Sequence, residues 1–92
     1  MVKKGEKMDK KELLILLMLR ENKAFNNATA MTLQELISTD GLAGYRVNTI
    51  YKSIQKLLEA GLVQYGLKDG HANTYSISKI GIKKIGEYAD EE

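Results

Sequence analysis

Residues 46–61 constrain this chain more than any other segment, because they sort two kinds of side chain by helical period. Val47, Ile50, Ile54, Leu57 and Leu58 recur at the spacing of one helix face, while Arg46, Asn48, Thr49, Lys52, Ser53 and Lys56 gather on the other. Gly61 then ends the pattern, as a residue that readily takes the left-handed conformation found just past helix ends. Such a helix buries one side and presents the other. What it presents here is a row of amide, hydroxyl and cationic groups.

Upstream, the apolar run from Leu13 to Leu19 covers every face of two helical turns, where a surface helix would show a single stripe. One side can pack on a core, and a second subunit is the economical cover for the other. Asp9 is the expected N-cap, and the helix is expected to reach Lys23. Residues 22–30 are polar and asparagine-rich, with room for a short strand over 28–31. A second helix comes next with a complete start signal: Thr32 as N-cap, Glu35 closing a capping box, and Met31 with Leu36 as a hydrophobic staple. Leu33, Leu36 and Ile37 are its expected buried face. Residues 38–44 form a turn in which Gly41 and Gly44 are free to take positive φ. That turn is longer than the three or four residues of a standard helix-turn-helix.

Downstream of Gly61, residues 62–67 and 73–77 are rich in β-branched and aromatic side chains and flank an Asp69-Gly70 hairpin signal. Tyr65 and Tyr75 are expected to face each other across this hairpin or to pack on the core. Ser78 can cap a last helix running to Tyr88 or Asp90, with Ile82, Ile85 and Tyr88 or Ala89 on one face. Gly81 and Gly86 each cost such a helix about 1 kcal/mol relative to alanine, so it needs tertiary or intersubunit support. The fold class is therefore α+β, mostly α: a winged helix-turn-helix with a two-stranded wing and flanking N- and C-terminal helices. Residues 1–8 read as a loose N-terminal arm and 9–92 as a single domain.

With 92 residues the chain has material for one domain, burying about 60 to 65% of its unfolded surface, which again points to a partner subunit. Cysteine is absent and His71 is the single histidine, which excludes disulfides, thiolate nucleophiles and Cys/His zinc sites. The chain also has no nucleophile-base-orienter set, no paired carboxylates in a plausible cleft and no glycine-rich phosphate loop. Neither catalytic residues nor a metal or cofactor are expected. The lysine-rich start and apolar run imitate a secretory signal. Asp9 and Glu12 violate its basic region, however, and Arg20 to Lys23 separate the run from Ala28-Thr29-Ala30. The run is also far shorter than the ~18 to 20 residues of a membrane span. A cytoplasmic protein with no membrane partner is expected.

The net charge of +2 is small but uneven. From Gly44 to Lys84 seven cations stand against Glu59 and Asp69, so the basic excess falls on the amphipathic helix and the hairpin and helix downstream of it. An α-helix fits the major groove of duplex DNA, where its exposed side chains must serve as donors and acceptors to base edges, flanked by cations for phosphates. Arg46 and Asn48, near the helix start, suit guanine and adenine. Thr49 suits a thymine methyl or a phosphate, and Lys52, Ser53 and Lys56 suit the backbone. Lys68 and His71 at the hairpin tip are the expected phosphate or minor-groove contacts. Tyr45 either packs or reaches DNA, and Lys79, Lys83 and Lys84 form a solvated helix face.

The stretch from Asn48 to Val63, with its Leu58-Glu59-Ala60-Gly61-Leu62-Val63 ending, and the later Tyr75-Ser76-Ile77-Ser78-Lys79-Ile80-Gly81 together resemble the PadR and MarR type of winged-helix regulator. In that type a recognition helix ends in Leu-x-x-x-Gly-Leu-Ile/Val, and the second wing strand ends in Tyr-x-Leu-Thr-x-x-Gly. The resemblance covers residues 31–88 and implies a homodimer on an inverted repeat of double-stranded DNA; the apolar first helix and the glycine-weakened last helix make the N-terminal and/or C-terminal helix the expected place of pairing. A self-contained chain of this size also resembles the small TubR-like centromere-binding adaptors of plasmid or phage partition systems, whose partner is a filament-forming NTPase. The leading expectation is a transcriptional repressor, with a partition adaptor as the alternative. A winged-helix module that docks an acidic protein is the alternative from another class.

Overall fold

Two reciprocal caps frame the helical half of the fold. The computed structural model describes residues 8–90, with side chains through 87. Its first helix, α1 (Lys10–Glu21), opens on Asp9, whose carboxylate accepts from the Glu12 amide at 2.9 Å while the Glu12 carboxylate accepts from the Asp9 amide at 3.2 Å. The same box joins Thr32 and Glu35, over 3.1 and 2.8 Å, at the start of α2 (Leu33–Ile37). Each box satisfies two amides that a helix start leaves without partners, so both helices begin where local chemistry dictates. α1 stops short of the expected Lys23. The Asn22 side-chain amide donates to the Met18 carbonyl at 2.8 Å, and Lys23 swings to a φ of 59°.

Within α1, Ile15, Leu16 and Leu19 are wholly buried, and Leu13, Leu14, Leu17 and Met18 are partly buried against the same core. α2, the long α3 (Val47–Glu59), strand β3 (Thr74–Ile77) and α4 (Lys79–Asp90) all pack on this helix. Its all-round apolar run is thus covered in part from within the chain, with Leu13, Leu14, Leu17 and Met18 left partly exposed. Met8 also packs against the core, while residues 1–7 of the expected N-terminal arm lie outside the described residues.

Between α2 and α3 the backbone steps through successive turns, with amide-to-carbonyl bonds from Thr39 to Leu36, Leu42 to Thr39 and Tyr45 to Leu42 at 3.1 to 3.2 Å. Leu42, in the middle, is wholly buried and ties the segment to the core, which accounts for its length. Gly44 takes the expected positive φ, at 96°. Gly41 does not. It is small for a different reason, because the Met18 sulfur lies 2.9 Å from where a Cβ would stand.

α3 buries Ile50, Ser53, Ile54 and Leu57. Val47, assigned by its spacing to the buried side, is instead 39% exposed, because the first turn of α3 projects past the core. The helix ends in a Schellman motif. Gly61 sits at φ 79°, its amide donating to Leu58 at 3.1 Å, and the Leu62 amide donates to Leu57 at 3.0 Å.

The hairpin pairs β2 (Val63–Tyr65) with β3, placing Val63 opposite Ile77 and Tyr65 opposite Tyr75. β1 (Met31–Thr32) adds a third antiparallel strand on the other side of β3, so the expected short strand lies slightly later than 28–31 and widens the two-stranded wing into a sheet of order β1-β3-β2. At the tip, Asp69 and Ala72 exchange two backbone hydrogen bonds around Gly70, whose φ is 66°.

Ser78 joins this hairpin to α4. Its hydroxyl accepts from the Gly81 amide at 3.0 Å and donates to the Gly61 carbonyl at 2.6 Å. Gly81 is buried against the Leu62 carbonyl, which a Cβ would strike, so the glycine expected to weaken α4 is required by its close approach to the chain beyond α3. Ile85 lies on the same buried face one turn later. Ile82 does not join them: it is 37% exposed, rotated about 100° from Gly81 around the helix. The side chains of Tyr88 and Ala89 lie outside the described residues. Among the described residues no helix is long and apolar enough to cross a membrane.

Candidate nucleic-acid interface

α1 and α2 each begin with a side-chain cap, and α3 does not. Its N-cap is Arg46, in extended conformation and with no side-chain bond to the first turn. The opening amides of α3 lack intrahelical partners, and Val47 and Asn48 are exposed there. Orphan amides and the positive end of the helix dipole favour an anion at this point.

Along the outward face Arg46, Asn48, Lys52 and Lys56 are exposed, and Thr49 is partly buried at its margin. Among the described residues no carboxylate comes within ion-pair distance of Arg46, Lys52, Lys56 or Lys68. Their charges are therefore available to an external polyanion. Ser53 departs from the expectation. It is only 5% exposed, because it follows Ile50 by three residues and precedes Leu57 by four, which places it on the core face of the helix. Its hydroxyl cannot reach a phosphate. Tyr45 is partly buried and packs against the core, which favours the first of its two readings.

Lys68 and His71 are exposed beside and at the hairpin tip. At the hairpin's base the Tyr65 and Tyr75 rings meet as expected, with centroids 5.7 Å apart and planes tilted by 37°. Tyr75 is buried, and burial pushes its phenol above the ordinary tyrosine range; the phenols of Tyr65 and Tyr51 act in the same direction, while a hydrogen bond with Asn73 opposes them. Tyr51 of α3 is 46% exposed. The sequence reading passes over Tyr51, since an aromatic ring fits neither the apolar stripe nor the polar one. Its position, one turn beyond Val47 and Asn48, was the available signal.

A capped N-terminal helix, a short edge strand, two helices joined by a core-anchored turn, and a hairpin that starts from the glycine cap of the second of these define a winged helix-turn-helix protein, with α3 in the place of the recognition helix. Over 78 residues the chain is 33% identical to the DNA-binding protein TubR of a Clostridium botulinum C phage, a match spanning 85% of this chain and 93% of that protein. The chain belongs to the TubR family. Its fold is similar to that of TubR from Bacillus megaterium pBM400, with a TM-score of 0.76 over 94% of this chain and 90% of that one, at 16% identity. It is similar as well to the solution structure of the DNA-binding TubR fragment from Clostridium botulinum, with a TM-score of 0.68 at 30% identity, over 89% and 98% of the two chains. No family model matches the chain.

Proposed function

We propose that the protein binds duplex DNA in a sequence-dependent way as the dimeric adaptor of a plasmid or phage partition system. α3 enters the major groove, and Lys68 and His71 meet the flanking backbone or minor groove. Arg46 and Asn48 read base edges, while Lys52 and Lys56 hold phosphates. The observation that carries this reading is the uncapped, outward-facing start of α3, whose cations have no carboxylate partner among the described residues. Membership of the TubR family favours the partition role over the repressor role, and a filament-forming NTPase is the corresponding partner.

The second copy is best placed on α4. Ile80 and Ile82 are uncovered on that helix, at 61% and 37% exposure. Lys79, Lys83 and Lys84 occupy its first half, and Glu87 and Asp90 its second. Two such helices laid antiparallel bring opposite charges together.

Binding to duplex DNA as a function of salt tests the proposal. If three cations per protomer meet phosphates, the log-log slope for a dimer lies near ~−5. Replacing Lys52 or Lys56 by alanine weakens cognate and random duplexes alike, whereas replacing Arg46 or Asn48 narrows the difference between them. A salt-independent affinity for duplex DNA would overturn the reading in favour of a protein-docking module.

A further inference from the structure

The hairpin is not one continuous ladder. Tyr65 faces Tyr75 at its base and Asp69 faces Ala72 at its tip, which leaves Gly66, Leu67 and Lys68 on the outgoing side against Asn73 and Thr74 on the returning one. The outgoing side has one residue too many, so a β-bulge at Leu67 and Lys68 interrupts the pairing. An unbroken strand would carry Lys68 on the face of Gly66; the extra residue breaks that alternation, and Lys68 is exposed. Groups outside the ladder hold the bulge. The Leu67 amide donates to the Asn27 carbonyl at 3.2 Å, and the Leu67 carbonyl accepts from the Thr74 hydroxyl. Asn27 belongs to a strap, residues 25–30, tied to β3 at both ends: the Ile77 amide donates to the Ala24 carbonyl at 2.9 Å, and Met31 faces Tyr75. The strap is braced from within, since the Asn26 side-chain oxygen accepts from the Ala28 and Thr29 amides at 2.9 and 3.1 Å. It lies so close to the hairpin that a Cβ on Gly66 would strike Ala30 and stand 3.0 Å from the Asn27 carbonyl.

We propose that Thr74 is a positioning residue for the hairpin tip: its hydroxyl, with the Asn27 carbonyl, fixes the bulge and so the place at which Lys68 meets a phosphate. The inference rests on the DNA-binding function proposed above. Lys68 and His71 lie beyond the last bond of the hairpin's base, which runs from the Gly66 amide to the Thr74 carbonyl at 2.9 Å. From there to Asp69 the outgoing chain passes through Leu67 and Lys68, each with two soft backbone dihedrals. Without the Thr74 and Asn27 bonds these residues form a hinge. With them the tip is held ready, and the cost of ordering it is met on folding instead of on binding. Thr74 suits the task. It is 5% exposed, so water does not compete for its hydroxyl, and its branched side chain is stiff about χ1.

The test reads the salt dependence of duplex DNA binding by the full chain. If Lys68 of each protomer meets one phosphate, Lys68→Ala makes the log-log slope of a dimer shallower by about 1.8. Thr74→Val keeps the branched shape and removes the hydroxyl. It is expected to move the slope the same way although no charge is touched, whereas Thr74→Ser keeps the hydroxyl and the wild-type slope. Thr74→Val should add little to the loss of affinity in Lys68→Ala and add in full to that in Lys52→Ala. A residue that acted through stability alone would leave the slope unchanged under conditions where urea titration shows every variant folded. A wild-type slope in Thr74→Val beside a shallower one in Lys68→Ala overturns the inference and leaves the DNA-binding function standing. So does a shallow slope in Thr74→Ser, or an unchanged slope in Lys68→Ala. Should Thr74→Val fail to fold, amide exchange in the wild-type chain decides the matter: the Leu67 amide is expected to exchange as slowly as that of Gly66, and exchange at the rate of an unfolded chain overturns the inference. A flat salt response of the wild-type chain removes the DNA-binding function and the inference together.

Discussion

Gly81 and Gly86 lie on the same helix and are glycines under different constraints. A Cβ on Gly81 would strike the Leu62 carbonyl and come within 2.8 Å of the Ile77 side chain, whereas one on Gly86 would meet nothing within 4 Å. Gly81→Ala is therefore expected to cost about 1 to 3 kcal/mol, as overpacking against backbone does. Gly86→Ala is expected to add up to about 1 kcal/mol through helix propensity. Urea midpoints at unchanged slope compare the two; equal shifts of the same sign would refute the assignment. Tyr75 supplies a test of a different kind. Its phenol is held above the ordinary range by burial and by the neighbouring phenols, so the unfolded chain releases this proton at a lower pH than the folded one does. Stability from this group is complete below the unfolded value of ~10 and falls as pH rises from there through the folded value. Tyr75→Phe should flatten that alkaline decline in thermal melts, whatever its effect at neutral pH.

Among the elements, α3 begins without the cap that α1 and α2 both have. A serine at an N-cap is worth about 1 kcal/mol over a non-capping residue. Arg46→Ser is thus expected to raise the urea midpoint while lowering DNA affinity, and a gain or loss in both measurements would contradict the view that this helix start is reserved for an anion. The starts of α1 and α2 were legible in the sequence because a capping box is local chemistry, written within four residues. So was the hairpin, through Asp69-Gly70 and the facing tyrosines. What the sequence left open depended on where the core ends. The polar and apolar character of the side chains put Val47 inside and Ser53 outside, whereas Ser53 lies on the core face between Ile50 and Leu57 and Val47 stands in the first turn of α3, past the core. That character likewise put Ile82 beside Ile85, although Gly81 is the residue that shares the buried face. Leu42 in the long turn and the Met18 contact at Gly41 join residues distant in sequence, and no local pattern announces them.

For the molecule as a whole, α4 carries the subunit contact proposed above, with Ile80 and Ile82 exposed on it. Ile80→Glu is expected to shift the sedimentation coefficient towards that of a monomer, and to reduce DNA affinity through the lost second half-site, without lowering the unfolding free energy of the monomer by more than about 0.5 kcal/mol. A dimer that survives this change places the contact elsewhere. A longer-range consequence comes from Ser78. Its hydroxyl bonds the last turn beyond α3 to the first turn of α4, and Leu62 passes beneath Gly81. α3 and the hairpin are thereby clamped at one separation, like the jaws of a fixed gauge. A gauge does not adjust to what it measures. On the DNA-binding function proposed above, the burden of fitting passes to the nucleic acid, and sites are expected to be ranked by how readily they twist and bend to the set width as well as by the bases they display.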